Sequence, residues 1–213
     1  MRFISTKILL FFGVVILLLT SGSCDLFKKD SPKVDQFDKT GKLYSIEPRT
    51  TTVFWTGYKT TAKTPVKGQF TKLEILNIKK EKTARAAIDG LEFSIPVSSL
   101  FSNEATRDTK LKDFFFSVMD NTSSLTGTLQ VVNDTLAQAE LKMNGVSKTI
   151  PLTYFIDGQM LSMQGKLNVL DWNTQEALAS LHKVCEEKHT GDDGISKTWE
   201  EVGVNIESYL KVE

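Results

Sequence analysis

Between Thr122 and Leu170 the apolar residues recur in steps of two. Leu125, Leu129 and Val131 fall on one face, then Ala137, Ala139, Leu141 and Met143. Ile150, Leu152, Tyr154 and Ile156 follow, and after them Leu161, Met163, Leu167 and Val169. A two-residue period marks half-buried strands. Asn144-Gly145 and Asp157-Gly158 are dipeptides that tolerate positive φ, and Val132-Asn133-Asp134 supplies a third break. The stretch therefore reads as four antiparallel strands joined by tight hairpins. Each turns one apolar face inward, and four strands cannot cover that face alone. The rest of the chain has to complete a sheet that closes on itself, which makes the expected class all-β: an extended antiparallel barrel of about eight strands with one or two short helices.

The flanking segments supply the missing pieces. Leu43 to Ile46 opens the fold and Pro48 ends that short strand; Thr50 to Thr60 is β-rich, with Val53 and Trp55 on one face and Phe54 on the other. Val66 to Lys79 carries Phe70, Leu73 and Ile75, with Gly57 and Gly68 marking bends. Ala84 to Val97 reads as one strand bulged at Gly90, a hairpin at Asp89-Gly90 being the alternative. Glu104 to Met119 switches to a helical period, with Thr106 as a cap and Leu111, Phe114 and Phe115 on one stripe. That helix either plugs one end of the sheet or forms a lid over a ligand. Asp171 to Lys188 reads as a second helix with Trp172, Leu178, Leu181 and Cys185 near one face. A final strand from Trp199 to Val212 pairs back to the first strands and removes the exposed edges.

The first 23 residues belong to a different class of segment. Arg2 and Lys7 precede an apolar run from Ile8 to Leu19, and the small residues Thr20 to Ser23 lead into Cys24. This is the layout of a secretory signal, with a run too short for a comfortable membrane span. Small residues directly before a cysteine resemble the lipobox of bacterial lipoproteins, in which the cysteine is acylated and becomes the mature N-terminus; here Ser21 stands where an aliphatic residue is usual, and ordinary signal cleavage and an uncleaved anchor are the alternatives. The expected organisation is a signal peptide over 1–23, a lipidated tether over 24–42 and a barrel over 43–213. The tether is rich in charge with Pro and Gly, and Phe27 and Phe37 are its only aromatic residues. Without the signal, 24 basic side chains face 26 acidic ones, which gives no reason to expect nucleic acid as a partner. With Cys24 acylated, Cys185 is the sole thiol, so the domain must be stabilised by its core rather than a disulfide.

Chemistry-bearing groups are sparse. His182, Cys185 and His189 fall at i, i+3 and i+7, a spacing that suits zinc on one helical stripe, although a buried thiol with two surface histidines is the preferred reading. Asp192-Asp193 beside Glu186-Glu187 forms an acidic loop that is expected to be solvated. Neither a Gly-x-Ser-x-Gly elbow nor a Gly-rich phosphate loop occurs in the 213 residues, and an enzyme is not expected.

The order of elements resembles the YceI-like family, a lipocalin-like barrel of secreted and periplasmic bacterial proteins. The likeness rests on Tyr44-Ser45-Ile46, Val53-Phe54-Trp55-Thr56-Gly57 and Val66-Lys67-Gly68-Gln69-Phe70. It continues through Ser98-Ser99-Leu100, Arg107-Asp108 with Leu111-Lys112-Asp113-Phe114-Phe115, and Leu141 to Lys148. Lys110 and Val118-Met119 stand where the family pattern has a histidine and a Tyr-Pro. The resemblance implies a barrel holding a polyisoprenoid-type lipid such as an isoprenoid quinone, with no covalent cofactor. The implied protein is an envelope lipoprotein, on the membrane through its acyl anchor and facing the periplasm or cell surface; a homodimer is allowed for. Large inward side chains are the expected lipid contacts: Trp55, Phe70, Phe93, Phe114, Phe115, Leu129, Met143, Tyr154, Met163 and Leu167. The competing expectation is an interaction module whose interior is packed solid.

Overall fold

A computed structural model describes residues 41–213. The signal segment, Cys24, Phe27, Phe37 and most of the expected tether lie outside the described residues. Three short stretches open the fold: β1 (Tyr44–Ile46), β2 (Thr52–Lys59) and β3 (Thr64–Phe70). After them come β4 (Glu74–Ile75), α1 (Ala84–Ile88), β5 (Leu91–Pro96), β6 (Leu100–Phe101) and α2 (Ala105–Phe114). The long hairpins follow as β7 (Ser124–Val131), β8 (Leu136–Met143), β9 (Val146–Asp157) and β10 (Met160–Asn168). The chain ends with α3 (Gln175–His189) and β11 (Glu201–Val212).

All pairings are antiparallel and run β4-β5-β7-β8-β9-β10-β11-β2-β3-β6, with β1 added beside β11. Closure comes from two interrupted stretches of chain. β3 pairs with β6, Phe70 opposite Leu100, while its continuation β4 pairs with β5, Ile75 opposite Phe93. Residues 64–75 therefore run alongside 91–101, and Thr71 N–H still donates to Ser99 O at 2.9 Å within the break. Counting each interrupted stretch once, eight strands go round. β11 is the return strand, with Leu161 opposite Ser208 on one side and Val53 opposite Ile206 on the other.

The hairpins form where their turn chemistry allows. Asn144 and Gly145 sit at φ 49° and 70°, the pair of positive values a two-residue turn requires. Asn144 also ties layers together. Its Nδ2 donates to Trp172 O at 2.9 Å and Asn173 O at 3.0 Å, and its Oδ1 accepts from Asp120 N–H at 2.8 Å. Trp172, almost wholly buried, donates from Nε1 to Leu141 O at 2.9 Å and so fastens the turn before α3 to the sheet.

Several local expectations give way. Ala84 to Ile88 is helical rather than the first half of a bulged strand: Thr83 Oγ1 accepts from Ala86 N–H at 3.1 Å, and Ala84, Ala87 and Ile88 are buried against the barrel. Alanine-rich sequence favours a helix, and five residues are too few for the apolar period to distinguish helix from strand. The strand expected up to Lys79 stops at Ile75, leaving Leu76 and Ile78 exposed. Glu104, not Thr106, caps α2, its carboxylate accepting from Thr106 N–H at 3.0 Å and Arg107 N–H at 2.7 Å. α3 begins only at Gln175, because a 3-10 turn over Val169–Trp172 and a left-handed Asn173 precede it.

Candidate functional site

The inward faces do not meet. They surround a cavity of about 280 Å³. Its wall is hydrocarbon: Val53 and Trp55 from β2, Phe70 from β3, Leu91, Phe93 and Ile95 from β5, and Leu125 and Leu129 from β7. β8 to β11 add Ala139, Leu141, Met143, Ile150, Leu152, Leu161, Met163, Leu167, Val202, Val204 and Ile206. Strand alternation is what aims these side chains at one space. Gly57 continues the inward stripe of β2, and a Cβ placed on it would meet nothing within 4 Å. Trp55 lies over Gly68, and its Nε1–H is the one buried side-chain nitrogen or oxygen without a hydrogen-bond partner among the described residues.

The cavity changes character where β2 ends and β11 begins. Lys59, Thr198, Trp199, Cys185 and His189 line it there, joined by Arg107, Lys110 and Leu111 from α2. The spacing i, i+3, i+4 puts those three α2 residues on one helical face. Lys59 Nζ donates to Lys188 O at 3.1 Å and Lys110 Nζ to Val184 O at 2.6 Å, so both ammonium groups rest on the last turns of α3. Arg107 donates to Ser102 Oγ at 2.7 Å and Ser102 O at 2.8 Å. Ser102 in turn gives its hydroxyl and its N–H to the buried carboxylate of Asp108. No Asp or Glu among the described residues lines the cavity.

His182 and His189 share one partner, Thr198 Oγ1, at 3.0 and 2.6 Å from their Nδ1 atoms. A single hydroxyl proton serves a single acceptor, so one ring carries its own proton on Nδ1 and donates to Oγ1. Burial disfavours the charged form of His189, and with nearby Lys59, His182 and Lys110 it is held down to about 4. Burial likewise pushes the Cys185 thiol up. In the zinc-like spacing of His182, Cys185 and His189, both imidazoles turn Nδ1 to Thr198. Among the described residues no three His, Cys, Asp or Glu side chains gather as metal ligands. In the acidic loop, Asp193 accepts from Thr61 Oγ1 at 2.6 Å and Ile195 N–H at 3.0 Å.

Of the side chains expected to meet a lipid, Trp55, Phe70, Phe93, Phe115, Leu129, Met143, Met163 and Leu167 line the cavity. Two do not. Phe114 is the last residue of α2 and is 37% exposed, whereas Phe115 and Phe116, turned by the 3-10 segment that follows, are buried and form the wall. Tyr154 is buried but sends its hydroxyl to Asn133 O at 2.8 Å, pinning the β7–β8 turn outside the cavity. Sequence reasoning passed over Lys59, Arg107, Thr198 and Trp199. The Val53-Trp55-Gly57-Lys59 alternation carried the signal for Lys59, and the α2 spacing carried it for Arg107.

No curated protein matches the chain. Among solved structures, a polyisoprenoid binding domain from Saccharophagus degradans superposes with a TM-score of 0.57 at 15% identity, over 80% of this chain and 98% of that one. BcnA of Burkholderia cenocepacia gives 0.51 at 14% identity, over 78% of this chain and 99% of that one. At such identities the likeness is one of fold. The YceI-like domain model matches residues 44–208, nearly the whole barrel. By that match the chain belongs to the YceI-like domain family.

Proposed function

We propose that this protein is a bacterial envelope lipoprotein, anchored through acylated Cys24, whose barrel binds and stores or carries an apolar polyisoprenoid-type lipid such as an isoprenoid quinone. The observation that carries this reading is the hydrocarbon-lined cavity of about 280 Å³. Small-molecule sites start at roughly 300 Å³, so one slender chain suits it better than a broad ring system. Left empty, a void of about 280 Å³ would cost on the order of 7 kcal/mol at ~24 cal/mol per Å³. That is comparable with the whole stability of a domain, roughly 5–15 kcal/mol. A bound chain recovers that loss through burial and dispersion. The polyisoprenoid-binding neighbour of the same fold supports the choice of lipid, and the small-residue run before Cys24 supports the anchor. We read the role as binding rather than turnover, because the wall is almost entirely hydrocarbon and the neighbour of the same fold is a binding domain.

Mass spectrometry of organic extracts from natively expressed protein should find a co-purified isoprenoid, and metabolic labelling with a palmitate analogue should mark the wild type but not Cys24→Ser. Repeatedly empty extracts together with no uptake of added quinone would refute the cargo; labelling that survives Cys24→Ser would refute the anchor.

A further inference from the structure

The cationic end of the cavity carries an inference that rests on the lipid-binding reading and departs from it on the head group, which is acidic where a quinone is neutral. We propose that the occupant is an amphiphile with an acidic head group, a carboxylate or a phosphate, held by Lys59 and Lys110 while its chain lies in the barrel. Both lysines line the cavity and are half-buried, and they come from different elements, β2 and α2. Each ammonium has three N–H donors and spends one on a carbonyl of α3. Capping that helix end accounts for only part of their charge, because a helix C-terminus offers about half a negative charge against two full positive ones. No carboxylate on the cavity wall makes up the difference. The positive excess acts on its neighbours too, since Lys59 and Lys110 both hold the His189 ring toward its neutral form. A neutral head leaves that excess facing hydrocarbon. An acidic head group at this end offers its anionic oxygens to their remaining donors as charge-assisted hydrogen bonds, about twice as strong as neutral ones.

The test compares matched pairs on delipidated full-length protein: hexadecanoate against hexadecanol, and geranylgeranyl phosphate against geranylgeraniol. Affinity is read by tryptophan fluorescence, since Trp55 and Trp199 line the cavity. Each acidic member should bind at least about tenfold tighter than its alcohol, the ratio shrinking as salt rises. In the Lys59→Gln/Lys110→Gln double variant the ratio should fall to near one. The pair with the larger ratio tells carboxylate from phosphate. Equal binding of acid and alcohol by the wild type overturns the head-group inference alone, as does a ratio that survives in the double variant. If none of the four binds, lipid binding falls as well. Should the double variant not fold, the wild-type ratio and its salt dependence decide.

Discussion

Gly57 offers the sharpest probe of whether the barrel is hollow. A Cβ at this position meets nothing within 4 Å, whereas one at Gly127 would lie 2.0 Å from Glu140 O. Gly57→Leu would therefore grow four carbons into open space. At about 0.8 kcal/mol per buried carbon this is worth ~3 kcal/mol. Replacing a strand glycine adds ~0.5–1 kcal/mol, and ordering the leucine removes ~0.5–1 kcal/mol. Allowing for imperfect fit, the delipidated protein should gain about 2 kcal/mol, seen as a rise of ~4–8 °C in Tm for a domain of this size. The same side chain occupies volume that a ligand needs, so affinity for a long-chain lipid should fall at least tenfold, roughly 1.4 kcal/mol. Urea denaturation and lipid titration on one preparation measure both. Gly127→Ala is the control and should lose more than about 2 kcal/mol through collision with the neighbouring strand. If Gly57→Leu destabilises the protein as Gly127→Ala does, the interior is packed and the cavity argument fails. If it stabilises but leaves lipid binding untouched, the lipid sits elsewhere.

Asn144→Ala removes three hydrogen bonds and places alanine at φ 49°, so it should cost about 3 kcal/mol in urea unfolding; a loss under 1 kcal/mol would show that the turn does not hold the layers together. Asp108→Ala strips Ser102 of the acceptor for its hydroxyl and N–H and should cost about 2 kcal/mol by the same assay, with no change if that buried network is dispensable. The unfolded His189 ring titrates near 6.5 and the folded one at about 4, so below pH 6.5 the unfolded chain binds more protons and stability falls as pH drops. After discounting for its half-exposed ring the loss between pH 7.5 and 4 should be about 1–2 kcal/mol; a His189→Gln variant with the same pH slope would remove His189 as its source. Trp55→Phe gives up no protein hydrogen bond and should cost less than the ~3–5 kcal/mol of a fully truncated buried aromatic, a larger drop in Tm contradicting the orphaned indole N–H.

The order of strands, their inward faces and the hairpin turns were legible in the sequence, because strand alternation and Asn-Gly chemistry are local and repeat with a period of two. Leu125 to Val169 needed no knowledge of the fold to be placed on one side of the sheet. The same period gave no warning at Ala84–Ile88, where a threonine cap and tertiary burial select a helix, or at Phe114 and Phe115, where the end of α2 decides which ring faces inward. Whether the interior is hollow could not be read from any segment, since it depends on how far eight curved strands stand apart. Nor could the meeting of Lys59, Lys110 and His189, which are far apart in the chain and become neighbours only when β11 returns to β2 and α3 packs on α2. Local pattern determined which side chains point inward; closure of the sheet alone decided what space they enclose and which charges stand at its end.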